Sequence, residues 1–307
     1  MPLSASLYER AVSAPPVPPR LPLVIALTGF TDAGNAIGGL IDYVRDELDP
    51  TPLVVFSNDV LLDYRARRPL ISFDQDHLTD YRPQRLELSL AHDALGQPFV
   101  VLAGYEPDFA WDAFTAAVLS LADELAVSSV TWVHSIPMPV PHTRPIGTTV
   151  SGTRSDLTEA HSVWKPHTQV PATIGHLLEH RFAEAGTRIA GFVLLVPHYL
   201  GDTEYPAATI AALDSLTAAT GLVFSGDDLR EQNRDYLSKV EEQVAGSDEL
   251  QRMLQGLEER YDAYMAGSTL ATPIIHAGDL PSADELAAEL ERFLASRPSG
   301  DEDKRGG

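Results

Sequence analysis

Pro22-Leu23-Val24-Ile25-Ala26-Leu27-Thr28-Gly29-Phe30-Thr31-Asp32-Ala33-Gly34-Asn35 is the stretch on which the fold turns. The apolar run from Pro22 to Leu27, ended by Thr28-Gly29-Phe30, predicts a strand buried on both faces. Ile37, Leu40, Ile41, Val44 and Leu48 then recur at helical spacing. Asp49-Pro50 stops that helix, because a residue before proline is pushed out of the helical region. Strand, turn and helix in this order open an α/β fold.

The same alternation runs on downstream. Leu53 to Phe56, Phe99 to Ala103, Val130 to Val133 and Ile189 to Val196 are apolar runs that predict buried strands. Leu86, Leu88 and Leu90 alternate with polar residues, the pattern of a half-buried strand. Glu106-Pro107 is expected to open a helix whose core face is Trp111, Phe114, Val118, Leu121 and Leu125. Ile174 to Phe182 and Ala207 to Leu216 predict two more helices, and Leu222 to Phe224 a short strand. The charged stretch from Asn58 to Asp80 gives no clear pattern. Strands alternating with helices imply a largely parallel sheet covered on both faces.

Upstream, residues 1–20 read as a Pro-rich arm, with Pro15, Pro16, Pro18 and Pro19 holding it extended. Residues 21–297 form the expected single α/β domain, and residues 298–307 a charged, disordered tail. Within the domain, residues 227–265 differ from the rest. Eleven acids against five bases surround two sparse apolar stripes: Leu229, Tyr236, Val240 and Val244, then Leu250, Met253, Leu254, Leu257, Tyr261 and Tyr264. Gly246-Ser247 splits them, so an inserted helical hairpin is expected, projecting from the core or lying across it. Leu286, Leu290, Phe293 and Leu294 mark a last helix.

The whole chain has 307 residues, 44 acidic and 22 basic, for a formal net charge of −22, and no cysteine. Nucleic acid and anionic membrane surfaces are disfavoured partners, since both attract positive charge. Without Cys there is no disulfide, thiol nucleophile or thiolate-held metal. The first twenty residues carry no basic and apolar export pattern, so a cytoplasmic protein is expected.

Two motifs invite a catalytic reading and lose it. Gly29-Phe30-Thr31-Asp32-Ala33-Gly34 has phosphate-loop spacing, but Asn35 and Ala36 stand where Lys and Ser/Thr would reach phosphate and magnesium. Asp32 reads better as a helix cap. His176-Leu177-Leu178-Glu179-His180 matches an inverted zinc-protease motif. The apolar face set by Ile174, Leu177, Leu178 and Phe182 lies opposite both histidines, so they are expected on a wet face, with no metal bound. No cofactor is expected.

In α/β sheets ligands bind outside the carboxyl ends of the parallel strands. Four polar loops fall there: Thr28 to Asn35, Gly104 to Asp108, Ser135 to Pro145, and Pro197 to Gly201. They offer Asp32, Glu106, His142, Arg144 and His198 as candidate catalytic residues, and Thr28, Gly29, Asn35 and Tyr199 as candidate ligand-binding ones. Acid, base and cation at one rim suit hydrolysis or phosphorolysis. The structural alternative has the histidines bonded to backbone and Arg144 paired with a buried carboxylate such as Asp32 or Glu106. No G-x-S-x-G elbow supplies a nucleophile.

The same loops resemble the PAC2 family, the bacterial branch related to proteasome assembly chaperones. The matching motifs are Leu27-Thr28-Gly29-Phe30-Thr31-Asp32-Ala33-Gly34-Asn35, Gly104-Tyr105-Glu106-Pro107 with Trp111, Pro141-His142-Thr143-Arg144-Pro145 and Val196-Pro197-His198-Tyr199. The resemblance implies a phosphorylase/hydrolase-like α/β fold and a homo-oligomer, expected as a trimer, with proteasome-related proteins as a further partner class. The last residues, Arg305-Gly306-Gly307, depart from the hydrophobic–Tyr–X ending of ring-docking members. Two functions remain open: a non-catalytic protein acting through protein–protein interaction, and a small-molecule hydrolase or phosphorylase-like enzyme using the rim set. For the first, apolar loop residues Ile136, Met138 and Val140 are the expected subunit contact.

Overall fold

The computed structural model describes residues 6–165 and 167–267. Its first half contains β1 (Tyr8–Arg10), β2 (Pro22–Thr28), α1 (Ala36–Glu47), β3 (Thr51–Phe56), α2 (Asn58–Leu61), β4 (Leu70–Asp74) and β5 (His77–Arg82). Then follow β6 (Leu86–His92), β7 (Pro98–Tyr105), α3 (Trp111–Glu124), β8 (Ser129–Met138), β9 (Gly147–Gly152) and α4 (Ser155–His161). The remainder is α5 (Ile174–Glu184), β10 (Ile189–Pro197), α6 (Pro206–Thr220), α7 (Asp227–Ala245) and α8 (Asp248–Gly267).

Eight strands form one mixed, largely parallel sheet in the order β1-β3-β6-β7-β2-β8-β10-β9. The central four, β7, β2, β8 and β10, are parallel, while antiparallel pairs flank them on both sides. β3 is antiparallel to β6, which is antiparallel to β7, so β3 ends on the same rim as β2, β7, β8 and β10. That shared carboxyl rim is where the loops of interest lie.

Alternation along β2 builds a core on each face of the sheet. Leu23 and Ile25 pack with Phe114, Val118 and Leu121 of α3 and with Leu178 and Phe182 of α5. Val24 and Ala26 pack with Ile37, Leu40 and Val44 of α1 and with Ala208, Ala212 and Leu216 of α6. Each fully buried side chain of this size contributes roughly 1.5–3 kcal/mol through removal from water. The helical hairpin α7–α8 lies across the α6 side of the fold: Leu229, Tyr236, Leu237 and Val240 pack against that core, and Leu257 is buried. Tyr236 Oη sits 2.7 Å from Thr203 Oγ1.

Several expectations change. The stretch from Asn58 to Asp80 is structured, as α2 and the β4–β5 hairpin. A bulge between Leu70 and Ser72, with Asp80 at φ 54°, interrupts the alternation that would have marked it. The helix expected to open at Glu106-Pro107 opens at Trp111, whose Nε1 donates to Pro107 O at 2.6 Å and fixes the turn before it. Leu222 to Phe224 is irregular, not a strand. The buried Asp93 carboxylate accepts from Val223 N at 2.8 Å and holds the segment against the β6–β7 turn. The arm contributes β1, which pairs with β3. Ile136, Met138 and Val140 are partly covered. The expected helix at Leu286 to Leu294 and the 298–307 tail lie outside the described residues. Among those described, no helix is long and apolar enough to cross a membrane.

Candidate functional site at the carboxyl rim

The loop after β2 is fixed by its own carboxylate. Asp32 Oδ1 accepts from Ile37 N at 2.8 Å and from Ser135 Oγ at 3.1 Å, and Oδ2 accepts from Gly38 N at 2.8 Å. It therefore caps the first turn of α1 and ties that turn to β8. Gly34 takes φ 69°, and its N–H donates to Gly201 O at 2.7 Å while its O accepts from Tyr205 N at 3.0 Å. A Cβ at Gly34 would crowd Ala208 at 3.0 Å, so glycine is needed twice over. Asn35 follows in the left-handed region at φ 52°.

Glu106 is used in the same way. Its Oε1 accepts from Ile174 N at 2.6 Å, in the first turn of α5, and a Cβ on Gly29 would run into its carboxylate. Thr28 bonds across to β7: Glu106 N donates to Thr28 O at 2.6 Å, and Thr28 Oγ1 donates to Gly104 O at 3.3 Å. Thr28 and Gly29 thus close the β2–β7 seam.

Between these two carboxylates lies a group the sequence pattern did not single out. His134 on β8 is buried, with Nε2 3.2 Å from Thr31 Oγ1. Burial lowers its pKa to about 4, with His176 acting in the same direction, so the ring is neutral at neutral pH. Leu27, Gly29, Glu106, His134 and Thr173 line a void of about 10 Å³, the room of a single water. β8 was expected to stop at Val133; its continuation to Met138 is what places His134 and Ser135 here.

His176 is half-buried, which corrects the wet-face expectation. Its Nδ1 accepts from Thr173 N at 3.0 Å, while Thr173 Oγ1 accepts from His176 N, a reciprocal cap at the start of α5. The ring packs edge-on to Trp132 at 5.0 Å. Burial lowers its pKa, against Glu179 and Glu106, which raise it. Glu179 accepts from Trp132 Nε1 and Ser151 Oγ, and His180 is exposed beside Glu184. The H-x-x-E-H spacing is thus spent on capping and on an indole partner. Among the described residues no group of three or more His, Asp or Glu is placed to hold a metal.

The other candidates belong to a second group, on the β8 and β10 loops. His142 is buried, and Tyr199 Oη lies 2.7 Å from both its backbone N and its Nδ1. Burial lowers the His142 pKa, opposed by Glu241 and Glu258, and pushes the Tyr199 phenol up. His198 stands in the turn after β10, its ring edge-on to Tyr199 at 5.4 Å. Arg144 pairs with neither Asp32 nor Glu106. Its Nε and Nη2 meet Asp262 at 2.9 and 2.6 Å, and Nη1 lies 3.5 Å from Glu258. Both acids sit on α8, more than a hundred residues away in sequence, where no local pattern points to them. Arg144 therefore clamps the helical hairpin to the rim.

While the polar side chains of this rim turn inward, apolar ones turn outward. Phe30 in the β2 loop and Phe109 in the β7 loop are exposed, as is every residue of the β4–β5 hairpin that rises between β3 and β6.

This combination defines an α/β protein whose rim carboxylates cap helices and whose rim surface is partly apolar. The chain belongs to the PAC2 family, whose model matches residues 26–244. Among solved structures, a Mycobacterium tuberculosis protein of unknown function is 38% identical, with TM-score 0.79, covering 86% of this chain and 92% of that one. A Corynebacterium glutamicum protein of unknown function is 31% identical, with TM-score 0.81, covering 84% and 98%. A proteasome-assembly chaperone homologue of M. tuberculosis shares the fold at 23% identity and TM-score 0.69, covering 76% and 100%. No curated protein matches the chain.

Proposed function

We propose that this chain is a non-catalytic member of its family that works by binding other proteins, in the manner of proteasome assembly chaperones. It does so in the cytoplasm, as a homo-oligomer for which three copies are expected, with proteasome-related proteins as the partner class. One observation carries the reading. Asp32 and Glu106 are consumed as helix caps, Arg144 as a clamp on α8 and His142 against Tyr199, whereas Phe30, Phe109 and the β4–β5 hairpin of the same rim are open to contact. A catalytic rim would need the first set free to meet substrate. A binding rim needs the second.

The test is direct binding. The full-length chain is mixed with purified proteasome core-particle subunits of its own organism and examined by native mass spectrometry. A stoichiometric complex is expected. No complex, together with depletion of a metabolite from cell extract by the purified chain, would contradict the proposal.

A further inference from the structure

We infer that the proline tract between β1 and β2 is a docking strip for a protein whose groove is lined by aromatic rings and flanked by a carboxylate. The tract crosses the amino rim of the sheet, so it is a second contact surface at the opposite end from the carboxyl rim.

The tract reads Ala14-Pro15-Pro16-Val17-Pro18-Pro19-Arg20. Proline locks φ at about −65°, and the residue before a proline is pushed into extended or polyproline geometry. Every residue from Ala14 to Pro19 is a proline or precedes one, and none of them joins a helix or strand. The tract therefore takes up polyproline II, which turns once in three residues. That period puts Val17 on one edge, Pro15 and Pro18 on the second, and Pro16 and Pro19 on the third. Val17 packs against the apolar core. Pro15 is half-covered, and Pro16, Pro18 and Pro19 are exposed. The outward face thus carries two proline pairs, Pro15-Pro16 and Pro18-Pro19, three residues apart. Val12, in the turn just before them, is exposed as well.

The strip is pinned at both ends. Ala11 N donates to Leu53 O at 2.9 Å, Ala14 N to Ala11 O at 3.3 Å, and Arg20 N to Ala126 O at 2.9 Å. Proline rings and these anchors have already removed its freedom, so binding adds little ordering cost. Its prolines have no N–H and cannot add to a sheet edge. Ring contact is the mode left to them, and proline pairs on a polyproline helix fit between aromatic side chains. Charge selects what flanks the groove. Residues 11–20 hold no acid and one base. That base, Arg20, is exposed and makes no ion pair among the described residues, whereas Arg10 already meets Glu124 at 2.7 Å. A carboxylate beside the groove complements Arg20. The net charge of −22 repels a broadly acidic partner, so the match is to a local carboxylate and not to an acidic face.

The test titrates the full-length chain into an isotope-labelled SH3 domain and, separately, a WW domain, two grooves of aromatic rings that read polyproline. Salt is held at about 0.15 M, where charges more than about 8 Å apart are screened. NMR shift changes confined to the aromatic groove of at least one probe are expected, reversed by a synthetic peptide of residues 12–20. Pro16→Ala/Pro19→Ala is expected to weaken binding about tenfold, and Arg20→Glu to weaken it several-fold, both with unchanged circular dichroism. No shifts in either probe, shifts outside the groove, or wild-type affinity in either variant would overturn the inference. A change in the mass of the double variant by light scattering, with no probe bound, would give the strip to a second copy and overturn it too. If the double variant does not fold, Arg20→Glu and the peptide competition decide. None of these results touches the binding test for proteasome subunits, which stands or falls separately.

Discussion

Trp132 Nε1 donates to Glu179 Oε2 at 2.6 Å, and Ser151 Oγ donates to the same oxygen at 2.8 Å. The indole lies over Gly191 and Gly175, where any Cβ would run into it. Removing the acceptor leaves the indole N–H buried without a partner. Glu179→Ala is therefore expected to cost about 2 kcal/mol, and His180→Ala, on the exposed face, to stay within about 0.5 kcal/mol. Urea unfolding of the two variants checks this; equal midpoints would show the indole bond carries no weight.

Asp32 serves two amides of α1 and one hydroxyl of β8. Asp32→Ala strands all three and is expected to lower stability by about 2 kcal/mol, at the upper end for a helix cap. Ser135→Ala removes only one of the three bonds and should cost about 1 kcal/mol or less. The pair of unfolding curves separates a structural carboxylate from a dispensable one.

Much of this fold was legible because its central strands are continuous apolar runs. Leu23 to Ala26, Phe99 to Ala103, Val130 to Val133 and Ile189 to Val196 leave no other place to go than a sheet buried on both faces. Asp32 was legible as a cap because its partners lie five and six residues away. Arg144 was not, since Asp262 is brought to it only by the packing of α8 across the rim. His176 was misplaced by helical geometry taken alone: the face opposite Ile174 and Phe182 is covered by Trp132, which sequence spacing cannot report. The β4–β5 hairpin escaped notice because its apolar residues alternate with Asp and Arg across a bulge.

Arg144→Ala is expected to leave the melting temperature of the core nearly unchanged, because its ion pairs are solvent-exposed. Its effect should appear in α8, whose amides exchange faster in the variant and, for the wild type, faster at high salt. Hydrogen exchange by mass spectrometry reads both. A large drop in core stability would restore the idea of a buried pair.

Stability should fall on mild acidification. His134 has its pKa lowered from 6.5 to about 4 in the folded chain, so the unfolded chain binds more protons between these values. The contribution is fully present above pH 6.5 and is lost progressively as pH falls toward 4, reaching about 3 kcal/mol. His142 and His176 are lowered too, so they add in the same direction. Urea midpoints from pH 7.5 to 5 should decline steeply for the wild type and less for His134→Gln. A flat profile would mean the buried ring does not stay neutral.

Photo-cross-linking from position 73 in the full-length chain, at native expression in growing cells, tests most directly whether the rim works by contact. A benzophenone amino acid in place of Phe73 should give protein adducts, with a band at twice the chain mass among them, whereas the same group in place of Leu95 should give none. Unmodified chain from position 73, or adducts no more abundant than from position 95, would contradict a rim that acts through its exposed hairpin.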